Sequence, residues 1–68
     1  YLVALLTDNS SEVRLNALEA ITTLAEAPKG RQVLLKNVAK VRKLIHDHES
    51  PAVRKAAQTA VKVITWTP

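Results

Sequence analysis

Slid along itself by about 40 residues, the chain meets a second copy of its own pattern. Leu5-Leu6-Thr7-Asp8 falls on Leu44-Ile45-His46-Asp47 at a shift of 39, and one residue gained in the turn makes the shift 40 from Ser10 onward. Ser10 then meets Ser50, Val13 meets Val53, Arg14 meets Arg54, Ala17 meets Ala57, Ala20 meets Ala60, Ile21 meets Val61 and Leu24 meets Ile64. Positions 13, 17, 20, 21 and 24 are spaced as one face of an α-helix, and the second copy keeps all five apolar. Any two amphipathic helices could share the apolar matches. Chance would less readily give the Asp, Ser and Val-Arg matches at the same time. A repeat of this length is one supersecondary unit that cannot bury its apolar face alone, so units must stack.

Punctuation along the chain sets the expected elements. Residues 1–7 end a helix, with Leu2, Leu5 and Leu6 inward. Asp8-Asn9-Ser10 is a turn in which Ser10 caps the next helix, its hydroxyl accepting an orphan backbone N–H. A long helix follows over 11–26, and Ala27-Pro28-Lys29-Gly30 breaks it because proline cannot continue the hydrogen-bond ladder. A short helix spans 30–36. Asn37 is expected to turn the corner through its tolerance of left-handed backbone angles. A medium helix spans 38–46, with Val38, Val41, Leu44 and Ile45 on one face. Ser50-Pro51, a cap followed by proline at the first helical position, opens the last helix over 51–65.

The expected class is therefore all-α. Residues 1–28 read as the last two helices of one repeat, and residues 29–68 as one three-helix repeat that ends the stack. The expected repeat core is Val13, Ala17, Ala20, Ile21 and Leu24, with Val53, Ala57, Ala60, Val61 and Ile64. Composition agrees. With one glycine and three prolines there is little loop material, and with Trp66 and Tyr1 as the sole aromatics the core must be aliphatic. A chain of 68 residues buries a modest core and usually needs a partner or a staple. It has no cysteine, which removes disulfides and thiolate metal sites. No apolar run approaches the roughly 18–20 residues of a membrane-crossing helix, and no charged-then-apolar leader opens the chain. A first residue Tyr within an apolar helical stretch reads as the start of a piece of a longer protein.

The pattern Leu-Leu-x-Asp-x-Ser-x-x-Val-Arg-x-x-Ala-x-x-Ala-Ile, running from Leu5 to Ile21, resembles the armadillo and HEAT repeat families. The short helix at 30–36 and the corner at residue 37 make armadillo the closer likeness, although Asn37 stands where armadillo repeats often place glycine. The resemblance implies a right-handed α-solenoid with a groove along its long helices, used to hold other proteins. It also implies an aspartate–arginine ladder between stacked units, here Asp8, Asp47, Arg14 and Arg54. A narrower likeness, of residues 14–31 and 63–68, is to the armadillo-repeat proteins of ciliary and flagellar radial spokes. It implies an axonemal location and Pro68 as the end of the protein.

Candidate sites are few. His46-Asp47-His48-Glu49 has ligand-type side chains, but consecutive residues in a turn point apart, and Asp8 serves the same turn without ligand neighbours. No metal and no cofactor is expected. The net charge of +4 divides unevenly: Asp8, Glu12, Glu19 and Glu26 against Arg14 give residues 1–28 a net −3, while residues 29–68 carry +7. Lys29, Arg31, Lys36, Lys40, Arg42 and Lys43 form a basic stretch that could meet phosphate or an acidic protein. No aromatic side chains interleave with it, so it lacks a base-stacking platform. Neither a nucleophile set nor a Gly-rich phosphate loop is present, so no enzyme and no small-molecule substrate are expected.

Function is expected to be that of a protein-binding scaffold in the axoneme. The alternatives are an adaptor outside cilia that binds an extended peptide, or nucleic-acid binding through residues 29–43. From helix face, the expected contact residues are Arg14, Leu15, Lys55, Lys62 and Trp66. Trp66 suits either an interface anchor or a lid over the end of the stack. Leu15 and Leu18 lie off the expected buried face and suit a preceding unit or a partner. The apolar N-terminal end is expected to self-associate.

Overall fold

The computed structural model describes residues 2–47 and 49–66. The expected helix start at Tyr1, the His48 member of the turn and the expected terminus at Pro68 lie outside the described residues. Among the described residues the fold is all-α: α1 (Leu2–Leu5), α2 (Ser11–Ala25), α3 (Pro28–Leu35), α4 (Val38–Lys43), a 3₁₀ turn (Leu44–His46) and α5 (Pro51–Ile64). The most extensive contact is α2 against α5, and α1 and α4 pack on the long helix that follows each of them.

The two long helices start by the same device. Ser10 is extended and its hydroxyl accepts the Val13 N–H at 3.4 Å. Ser50 is extended and its hydroxyl accepts the Val53 N–H at 3.3 Å. In both, an aspartate side chain folds the approach: Asp8 accepts the N–H of Ser10 at 2.9 Å, and Asp47 that of Ser50 at 3.0 Å.

The elements differ from expectation at several points, and α2, α3 and α5 each end one residue before the expected bound. Helix α3 begins at Pro28, not at residue 30. Proline is preset for a first helical position, and it is Ala27, pushed to φ −88° and ψ 138° before the ring, that ends α2. The corner at Asn37 has φ −117° and ψ 11°, and no positive φ occurs among the described residues. Tight i→i−3 bonds from Lys36 N to Val33 O and Asn37 N to Leu34 O close α3 without a left-handed residue. The expected helix over 38–46 is α4 followed by the 3₁₀ turn, and the helix expected over 1–7 stops at Leu5 in similar tight bonds.

The core face of α2 is also rotated from the expected one. Ala17 and Ile21 are buried, but so are Arg14, Leu18 and Ala25, whereas Val13 and Ala20 are half-buried and Leu24 is 50% exposed. On α5 the buried positions are Val53, Ala57, Ala60 and Ile64, with Val61 half-buried. The reason is neighbourhood. α5 has α2 on one flank, and α2 has α5 on its opposite flank, so equivalent residues face packed core in one helix and open side in the other. Leu18 is fully buried in the chain's own core and is not free for a preceding unit.

Gly30 sits inside α3 at a close approach. A Cβ there would overlap the backbone carbonyl oxygen of Leu24. Helix propensity favours Ala over Gly by about 1 kcal/mol, but a clash with backbone cannot be relieved by a rotamer change and overpacking costs about 1–3 kcal/mol. Gly30→Ala should therefore lower the thermal midpoint, as followed by circular dichroism at 222 nm. Val53→Asp, which buries an unpaired charge at a fully buried position, should abolish the cooperative helical melt.

An inter-helix charge bridge and a groove between the long helices

Arg14 is the one charged residue in the buried core among the described residues, at 5% exposure. Its guanidinium faces two ways. Nη1 donates to the backbone oxygen of Asp8 at 2.6 Å, closing the turn from which its own helix springs. Nη2 lies 3.2 Å from Asp47 Oδ1 and 3.3 Å from Glu49 Oε1, on the turn that launches α5. Neither of these two approaches has hydrogen-bond geometry, so the bridge is charge against charge. The aspartate–arginine ladder is thus present once within the chain, and Glu49 adds a second anion on the rim. Arg54 repeats the inner half, Nη1 donating to the Asp47 backbone oxygen at 2.7 Å. Asp47 is committed to this bridge and to the N–H groups of Glu49 and Ser50.

Arg31 was expected in the basic stretch, but it is turned to another task. It donates from Nε to Ala25 O at 3.1 Å and from Nη2 to Glu26 O at 3.4 Å, satisfying carbonyls at the C-terminal end of α2, where a cation is favoured. Its guanidinium also lies 5.4 Å from the Trp66 ring centroid, a cation–π contact. Trp66 therefore ties the end of α5 to the end of α2 while remaining 57% exposed.

An open groove runs between α2 and α5. One stretch is lined by Glu19, Thr22, Thr23, Ala56 and Thr59. The other, a cleft of about 390 Å³, is lined by Glu26, Arg31, Lys62, Val63 and Trp66. Helical spacing puts Glu12, Glu19, Thr23 and Glu26 on one exposed stripe of α2, and Lys55, Thr59 and Lys62 on one exposed stripe of α5 that leads to Trp66. The walls carry opposite charge over a floor of small side chains. Among the described residues no ion pair crosses it.

Of the five expected contact residues, Lys55, Lys62 and Trp66 lie exposed along α5, Leu15 is half-buried against the core, and Arg14 is buried in the bridge. Arg14 is thus withdrawn from any outside partner. The pairing of Arg31 with Trp66 and the acidic wall of α2 were missed in the sequence. The i, i+7 spacing of Glu12, Glu19 and Glu26 was the readable signal.

Residues 1–27 match the family model of the HEAT repeat. The matched stretch covers α1, the Asp8 turn and α2 with its Arg14. No solved structure matches the chain. HEAT repeats generally mediate protein–protein interaction and are typically non-enzymatic.

The bridge sets the cost of its own removal. Breaking a buried pair from one side leaves an uncompensated charge and costs about 3–5 kcal/mol, whereas an exposed partner contributes about 0–1 kcal/mol. Asp47→Asn should therefore destabilise far more than Glu49→Gln, whose side chain is 66% exposed. Urea denaturation of the two variants checks the order.

Proposed function

We propose that this chain is a protein-interaction scaffold with no catalytic role, and that its working surface is the groove between α2 and α5. The observation that carries the reading is the groove itself: an acidic wall, a basic wall and an exposed tryptophan at one end. An extended polypeptide laid along it would present charged side chains to both walls and an apolar side chain to Trp66. Residues 1–28 would be the last two helices of one repeat and residues 29–68 a complete three-helix repeat. The 39–40-residue self-match and the duplicated Ser10 and Ser50 caps support that division.

A finer reading places the scaffold in the radial spokes of cilia and flagella. It rests on the likeness of residues 14–31 and 63–68 to armadillo-repeat spoke proteins. The partners would then be other spoke subunits and the location the axoneme within the cytoplasm. Tagging the protein in ciliated cells tests this reading. Retention with spoke subunits after salt extraction of axonemes supports it, and a diffuse pool removes it and leaves a general adaptor.

The groove is tested apart from location. Trp66 is the sole tryptophan, so its emission reports the cleft directly. Extended peptides acidic on one edge and basic on the other should shift that emission on binding. Lys62→Glu should weaken them about tenfold or more by placing like charge against the acidic edge. Equal binding by wild type, Lys62→Glu and Trp66→Ala would remove the groove from consideration.

A further inference from the structure

Between Glu26 and Asp47 the chain has six Lys and Arg residues and no Asp or Glu. Arg31 is committed to the end of α2 and to Trp66. The other five, Lys29, Lys36, Lys40, Arg42 and Lys43, are exposed and make no ion pair among the described residues. Helix rotation gathers most of them on one outer face. On α3, Lys29, Gln32 and Lys36 stand on the side turned from the buried Leu34. On α4, Ala39 and Lys43 stand on the side turned from the buried Val41, with Lys40 at the edge. Because α3 packs on α2 and α5, and α4 on α5, these sides point away from the core of the layer. No residue lining the groove between α2 and α5 belongs to this face.

We propose that this outer face of α3 and α4 binds a disordered, glutamate-rich polypeptide segment through lysine–carboxylate pairs. Local physics accounts for part of the cluster only. The C-terminal ends of α3 and α4 favour cations, which suits Lys36, Lys40 and Lys43 taken singly. It does not suit Lys29, which stands in the first turn of α3, where the helix dipole disfavours positive charge. Nor does it suit Lys40 and Lys43 together, a like-charge pair one turn apart on α4. An acidic partner relieves both costs. Spacing fits a disordered chain: Lys29 and Lys36 are separated by about 10 Å along the axis of α3. An acidic chain in the polyproline II conformation offers every third side chain on one side, about 9 Å apart. Other anionic partners fit less well. The stripe is lysine, without guanidinium forks to grip phosphate at two points, and without an aromatic platform for bases. It also lacks the aromatic or long apolar side chains that enter a bilayer surface.

Fluorescence anisotropy of a fluorescein-labelled oligoglutamate peptide tests the inference. The 68-residue chain should bind the peptide at low salt and release it as salt rises. Lys36→Gln combined with Lys43→Gln should weaken binding about tenfold. Lys55→Gln combined with Lys62→Gln removes the same charge from α5 and should change binding by no more than about twofold. All four lysines are exposed, and circular dichroism checks that both variants stay folded. Trp66 emission should not move, since the peptide lies away from the cleft, which separates this result from any test of the groove. Absence of binding at low salt, or equal weakening by the two double variants, would overturn the proposal. A shift in Trp66 emission would also overturn it, by placing the peptide in the groove. So would tighter binding to a duplex DNA oligonucleotide of the same charge, or to phosphatidylserine vesicles, than to the peptide.

Discussion

A single guanidinium holds two turns in register, and most of the fold follows from that. Arg14 joins the turn before α2 to the turn before α5, so the start of each long helix is fixed relative to the other. With both starts fixed, the apolar faces of α2 and α5 can meet in only one offset. The alanine-rich seam between them offers little resistance to sliding by itself, since small side chains interdigitate shallowly. Burying a charge this deeply adds little net stability over an apolar residue of the same size. What the bridge supplies is alignment, and its two carboxylates on one side and one carbonyl on the other keep the cation from being left alone.

The neighbours of each long helix explain why the core is asymmetric although the sequence repeats its pattern. A helix in a stack touches its own partner helix and one neighbour on each flank. Here each long helix has only one such flank filled within the chain, and the filled flanks are opposite. The result is a buried stripe at 14, 17, 18, 21 and 25 in α2 and at 53, 57, 60 and 64 in α5. Two related amphipathic patterns are thus read at different rotations, and α5 carries Gln58 where α2 has the buried Leu18.

This marks where the residues alone were legible and where they were not. The caps at Ser10 and Ser50, the helical class and the turn role of Asp8 and Asp47 were readable, because each depends on local spacing or on the repeat. The bridge from Arg14 came from the family resemblance alone, and the same residue was also expected at a partner surface, from which its burial withdraws it. The rotation of α2 was not readable, because the apolar stripe of that helix is broad enough to serve either flank, and Leu18 and Leu24 are equally good leucines. Asn37 was misread because tight backbone bonding can turn a corner that a left-handed residue would otherwise turn. Gly30 read as a breaker, but its need is contact with the Leu24 carbonyl, which no local signal records. The exposure of Lys62 and Trp66 was readable from helix face, while the partner of Trp66 was not. A cation that looked like part of a charge run belongs instead to a helix end.

The seam between the long helices has one more consequence. Ala17, Ala57 and Ala60 are the small buried residues of α2 and α5, while Leu6 and Val41 are the larger buried residues from the segment after α1 and from α4. Side chains that are small on one side of a helical layer and larger on the other make the layer a wedge. The angle of that wedge is set by side-chain volume along a few positions, so the bend of any longer stack built on this pattern is written in methyl groups. Exchanging an alanine for a larger residue would open the groove and straighten such a stack together, which makes the width of the groove and the arc of the stack a single mechanical variable.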